Sequence, residues 1–96
     1  MTQDYAEAVK WFHRAAEQGD PDAAFNLGCM YWNGQGVPQD YVQAHVLFNH
    51  VAKTATEPEV RDRAVKHRDG LAMHMTPLQI AEAHGLFREW IESHAS

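Results

Sequence analysis

The sequence predicts an all-α fold: a short array of antiparallel helix pairs, about five helices in two and a half repeats. Three observations predict it. First, a segment recurs: residues 3–16 (QDYAEAVKWFHRAA) align with residues 39–52 (QDYVQAHVLFNHVA) at an offset of 36. The pairs Gln3/Gln39, Asp4/Asp40, Tyr5/Tyr41, Ala8/Ala44, Phe12/Phe48 and Ala16/Ala52 are identical. Second, the apolar residues inside each copy step by three or four, the period of one helix face. Third, no stretch alternates in the manner of a strand.

Each element follows from local signals. The first helix is expected at about 4–18, with Asp4 as N-cap and Tyr5, Ala8, Phe12 and Ala16 as its stripe. Asp20-Pro21 opens the second, and Asn33-Gly34 closes it. That helix carries two apolar lines, Ala24, Leu27, Gly28, Tyr31 and Phe25, Cys29, Trp32, so it needs neighbours on two sides. Gly28 costs about 1 kcal/mol of helix propensity, which close packing against the third helix would offset. Asp40 caps the third helix, 41–54. Thr56-Glu57-Pro58-Glu59 reads as a capping box that opens a fourth helix over 57–75, with Val60, Ala64, Leu71 and Met75 inward. Glu59–Arg63 and Asp62–Lys66 are spaced for ion pairs on its wet side. Thr76-Pro77-Leu78-Gln79 opens the fifth helix, 77–94. There Ile80, Ala83, Leu86 and Phe87 form a fainter third copy, 39 residues after Tyr41, Ala44, Leu47 and Phe48. Small residues recur inward at Ala8, Ala24, Gly28, Ala44 and Ala83, as close antiparallel packing requires.

The segment AAFNLGCMYWNGQGVPQDYVQAHVLFNHVA resembles a Sel1-like repeat (SLR), a relative of the tetratricopeptide repeat. The likeness rests on Leu27-Gly28, Met30-Tyr31, the loop Gly34-Gln35-Gly36-Val37, Asp40, Ala44 and Phe48. It covers residues 3–54, and the final MTPLQIAEAHGLFREW is similar to the closing helix of such arrays. Residues 1–96 then form one repeat domain: a half repeat at 1–19, a repeat at 20–55 and a divergent terminal repeat at 56–96. The resemblance implies a short α-solenoid wound as a right-handed superhelix, a scaffold that binds another protein or peptide, often bacterial, with no enzymatic activity and no cofactor. It also implies that helices 21–33 and 57–75 line the concave face. Their positions off the core stripe, Asp22, Asn26, Asn33, Arg61, His67 and Arg68, are the expected partner contacts. The array begins in mid-repeat, so Tyr5, Trp11 and Phe12 are expected to form an apolar patch. That patch suits a homodimer through the first helix, or a piece of a longer array.

Composition narrows the function classes. The net charge is −5 and the pI about 5.7, without the basic excess of a nucleic-acid binder. Residues 53–75 alone run basic, with five cationic and four anionic side chains, so Arg61, Lys66 and Arg68 are expected to face an acidic partner or to pair internally. No apolar run spans a bilayer, and Met1-Thr2-Gln3-Asp4-Tyr5 carries no signal-peptide pattern. A cytoplasmic location is the expectation, or a periplasmic or secreted one for a piece of a longer precursor. The lone Cys29 forms no internal disulfide. It reads as a packing residue, against the remote alternative of a nucleophile in a small hydrolase. The seven histidines include no i,i+4 pair, so a metal site is not expected. Gly34-Gln35-Gly36 follows a helix and not a strand, which marks a helix stop and not a phosphate loop.

Overall fold

The computed structural model describes residues 4–94, and Gln3 and Ser96 of the sequence reading lie outside the described residues. Five helices follow in order: α1 (Tyr5–Glu17), α2 (Pro21–Asn33), α3 (Tyr41–Thr54), α4 (Pro58–Ala72) and α5 (Pro77–His94). No strand occurs among the described residues. The carboxylates of Asp4, Asp20 and Asp40 accept from the backbone N–H groups of Glu7, Asp22 with Ala23, and Gln43. Each thereby satisfies donors that a helix start leaves unpaired. Gly34, at φ 70°, ends α2 in the left-handed region.

The two Thr-containing starts behave differently. Thr76 Oγ1 accepts from Gln79 N–H at 3.1 Å, and Gln79 Oε1 accepts from Thr76 N–H at 2.9 Å, a closed capping box. At α4 the expected box does not form. Pro58 takes the first helical position, Glu57 is the N-cap in extended conformation, and its side chain makes no cap bond. The cause is the placement of proline. A proline disfavours helical backbone in the residue before it, so Glu57 cannot be the first residue of a helix capped by Thr56. In the Thr76 start the proline sits one position earlier and no such conflict arises. The far end of α4 is also shorter than expected. His74 N–H bonds to Leu71 and Met75 N–H to Ala72, tightened i→i−3 turns that turn Met75 inward and leave Met73 86% exposed.

Helix α3 is the centre of the array, packed against α2, α4 and α5, while α1 lies on α2. One core cluster joins Val42, Ala44, Val46 and Phe48 of α3 to Leu71, Met75, Ala83 and Phe87. The other is built largely from alanines: Ala16, Ala23, Ala24, Ala52, Ala55 and Ala64 around Val51. Short side chains let the helix axes come close. The closest approach is at Gly28, where a Cβ would stand 2.8 Å from Cε1 of Phe48. Phe48 is fully buried, so no larger residue fits without displacing it. The expected Glu59–Arg63 and Asp62–Lys66 pairs are not among the ion pairs of the described residues. Arg63 lies instead over the Phe25 ring, 5.8 Å from its centroid.

Candidate cleft between helices α3, α4 and α5

Helix α5 turns Ala83 and Phe87, four residues apart, onto α3. It lies mainly along α3 and leaves its α4 side open. The result is a cleft of about 640 Å³. Asn49 and Lys53 of α3 line one wall, Arg68 of α4 another, and His84, Arg88 and Glu92 of α5 a third, with Phe87 and Ile91 as the apolar floor. Helical spacing explains the convergence. Asn49 and Lys53 are one turn apart, and His84, Arg88 and Ile91 follow at successive turns.

Arg68 is the fixed element. Its Nη1 donates to Asn49 Oδ1 at 3.0 Å, and its Nε donates to Asp69 Oδ1 at 3.1 Å. Asn49 is 7% exposed, so its carbonyl depends on that donor. The guanidinium is thus held over a buried amide and still reaches solvent. His45, one turn before Asn49, is buried, with its ring centroid 5.8 Å from that of His84. Burial, then the neighbouring His84 and Arg68, hold His45 below the ordinary histidine value, and Asp69 opposes them weakly. Lys53, Arg68 and Arg88 are opposed by Glu92 in the lining and by Asp69, which pairs with Arg68, so the cleft keeps a small cationic excess on a chain of net charge −5. A guanidinium fork, an ammonium and an apolar floor together suit a carboxylate-bearing segment with an aliphatic or aromatic side chain.

A second groove, of about 450 Å³, runs between α1 and α2. Asp4, Tyr5, Ala8 and Phe12 face Asn26, Cys29, Met30 and Gln35 across it. Gly36, at φ 77°, lies against the start of α1, where a Cβ would strike the Tyr5 carbonyl and Ala6 nitrogen. Burial pushes the Cys29 thiol up, which lowers its thiolate fraction. Among the described residues no three His, Cys, Asp or Glu side chains come together as a metal set, and no helix is long and apolar enough to cross a membrane.

The six expected partner contacts do not share one surface. Arg68 lies in the cationic cleft and Asn26 in the α1–α2 groove. Asp22, Asn33 and Arg61 are exposed elsewhere on α2 and α4. His67 is half-buried: one side of its ring packs against Phe25 (4.7 Å between centroids), Phe48 (5.5 Å) and Trp32 (6.0 Å), with Nδ1 2.9 Å from the Arg63 carbonyl. Adjacent helical residues differ by about 100°, so His67 and Arg68 fall on opposite flanks of the Ala64–Leu71 stripe. Tyr5 and Phe12 line the α1–α2 groove. Trp11 is 62% exposed on another flank, its ring 5.5 Å from the Arg14 guanidinium. Sequence reasoning missed Asn49, Lys53, His84 and Arg88. The available signal was their place beside the inward residues Phe48, Ala52, Ala83 and Phe87.

Comparison with known proteins adds the wider setting. The Sel1 repeat model matches residues 1–20 and 21–49. A Sel1-like repeat-containing protein of Schizosaccharomyces pombe is 46% identical over 41 residues, 43% of this chain and 6% of that protein. An exopolysaccharide production negative regulator of Rhizobium leguminosarum bv. viciae is 36% identical over 56 residues, 58% of this chain and 21% of that protein. The chain therefore spans about a fifth or less of the length of these relatives. A crystal structure of a protective antigen from uropathogenic Escherichia coli, which displays an SLR fold, superimposes with a TM-score of 0.86 at 30% identity. That match covers 99% of this chain and 20% of the other.

Proposed function

The chain belongs to the Sel1 repeat family, and from that premise we propose that it is a non-catalytic protein-binding scaffold whose α3–α4–α5 cleft takes an acidic, partly apolar peptide segment of a partner. Repeats of this family typically mediate protein–protein interaction. The observation that carries the finer reading is the convergence of Lys53, Arg68 and Arg88 around Phe87 and Ile91. Arg68 is already oriented by Asn49 and Asp69, so less side-chain entropy is lost when it binds a carboxylate. The apolar floor contributes burial, and the three cations select the sign of the partner.

The test uses a fluorescent peptide alternating Asp or Glu with Leu or Phe, and a matched peptide with Lys in place of the acids. Anisotropy should report saturable binding of the acidic peptide alone, weakening as salt rises. Lys53→Glu and Arg88→Glu lie at exposed positions and spare the Arg68–Asn49 bond. Together they should reduce affinity by about tenfold or more, since each cleft charge contributes on the order of 1 kcal/mol. Equal binding of both peptides, or affinity unchanged by the double reversal, rules the reading out.

A further inference from the structure

The cationic cleft has a counterpart one repeat earlier, with its charge reversed. A hollow of about 190 Å³ opens between α1 and α3, its walls supplied by α1, α2, α3 and α5. His13 and Glu17 line it on α1. The offset of 36 that pairs Phe12 with Phe48 pairs these two with Asn49 and Lys53, the α3 wall of the cleft. Aligning the proline-led starts of α2 and α4, Pro21 with Pro58, sets Tyr31 of the hollow where Arg68 stands in the cleft. A carboxylate thus replaces the ammonium, and a phenol ring replaces the guanidinium. Leu27, Val46 and Leu47 supply the apolar part of the lining. Half-buried Trp90 of α5 bounds the far side, its ring centroid 4.1 Å from that of His50. Glu17 and Trp90 also line an adjoining groove of about 470 Å³, so both stand where the hollow opens into it. A third groove, with Leu86, Glu89 and Ser93, meets the hollow at Trp90 as well.

Size and charge together define what fits. Drug-sized ligands take hollows of about 300–1,000 Å³, whereas about 150 Å³ already admits a benzene ring. This hollow therefore holds one side chain, and the grooves that adjoin it give a partner's backbone room to pass. Glu17 and Glu89 line the three spaces, and no lysine or arginine does. Residues 1–52, which supply most of the hollow, hold six acidic side chains and two basic ones. We propose that the hollow receives an arginine side chain of a partner protein. Its methylene stem lies along Leu27, Val46 and Leu47, and its guanidinium rests at the opening between the Trp90 ring and the exposed Glu17 carboxylate. A planar, weakly hydrated guanidinium stacks on an aromatic face and bonds a carboxylate side-on. A lysine ammonium is a strongly hydrated point charge and gains less from the ring. The hollow and the cationic cleft thus take side chains of opposite sign from two flanks of α5.

The probe is a short glycine–serine peptide with one central arginine, titrated into the intact isotope-labelled protein beside twins that carry citrulline or lysine there. Citrulline keeps the shape of arginine and removes its charge. The arginine peptide should give saturable shifts at the Trp90 indole N–H and at the Glu17 and Leu47 amides. The citrulline twin should bind about fivefold more weakly or worse, and the lysine twin about threefold. Glu17→Gln, at an exposed helical position, should weaken the arginine peptide by about fivefold with circular dichroism unchanged. Glu92→Gln removes the carboxylate that lines the cationic cleft and should leave its affinity unaltered. Equal binding of either twin overturns the proposal, as does affinity untouched by Glu17→Gln. So do shifts gathered at His84 and Glu92, or no saturable shift with the arginine peptide in large excess.

Discussion

Gly28→Ala is expected to destabilise the protein, although alanine is the better helix former. Gly28 sits inside α2, so the substitution gains about 1 kcal/mol of helix propensity. Against this, the new Cβ would lie 2.8 Å from Phe48 Cε1 and 3.1 Å from Cδ1 and Cζ. Carbon atoms in contact rest about 3.5–4.0 Å apart, so the overlap approaches an ångström. The ring cannot yield cheaply. It is fully buried and held by Phe25, Trp32 and His67 at 5.4, 6.0 and 5.5 Å. Overpacking of this kind costs about 1–3 kcal/mol, so the net effect is a loss of up to about 2 kcal/mol. Gly70 and Gly85 are the controls. Both are helical, and a Cβ at either meets nothing within 4 Å. Gly70→Ala and Gly85→Ala should each stabilise by up to about 1 kcal/mol. Thermal melts resolve the contrast, since about 1 kcal/mol moves Tm by roughly 4–8 °C in a chain of this size. Phe48→Leu should soften the penalty, giving a coupling of about 0.5 kcal/mol or more in the double-mutant cycle. A rise in Tm for Gly28→Ala matching the two controls would refute the close-packing argument.

Three further outcomes follow from the same geometry. Thr76→Ala should cost about 1 kcal/mol in denaturant melts, because Thr76 and Gln79 cap each other, whereas Thr56→Ala should stay within about 0.5 kcal/mol. Gly36→Ala should destabilise more than Gly19→Ala: both glycines have positive φ, but a Cβ at 36 meets the Tyr5 and Ala6 backbone while one at 19 meets open space. His45 is held neutral chiefly by burial, so below the ordinary histidine value of about 6.5 the unfolded chain binds the proton more readily, and stability falls with pH from there downward. His45→Gln should flatten that slope in Tm measured between about pH 7 and pH 5 relative to the parent, and an unchanged slope would place its origin elsewhere.

The features legible in the sequence were those written locally or by repetition. The offset of 36 tied Phe12 to Phe48 and Ala8 to Ala44, and the aspartate caps and Gly34 marked helix ends within a residue. Gly28 could be assigned to a helix contact because a glycine inside a helix otherwise carries only a cost. The failures arose where one residue's effect depends on register or on a distant partner. A single shift of proline relative to threonine separates the Thr76 box from its absence at Thr56. Arg63 spaced for Glu59 found Phe25 instead, a contact between separate helices that no spacing encodes. The cleft was half visible. Arg68 stood out in the basic stretch, but Asn49, Lys53 and Arg88 join it only through the way α5 lies on α3. His67 beside Arg68 looked equivalent in sequence, yet one step along the helix set its half-buried ring against Phe25 and Phe48 instead of in the cleft.

The most direct test of the docking account is an amide-shift titration of the isotope-labelled protein with the acidic, partly apolar peptide. Shifts concentrated at Asn49, Lys53, Arg68, His84 and Arg88, saturating together and collapsing with the Lys53→Glu, Arg88→Glu double reversal, are the predicted result. Shifts gathered on α1 and α2, or none anywhere while the peptide is in excess, would contradict it.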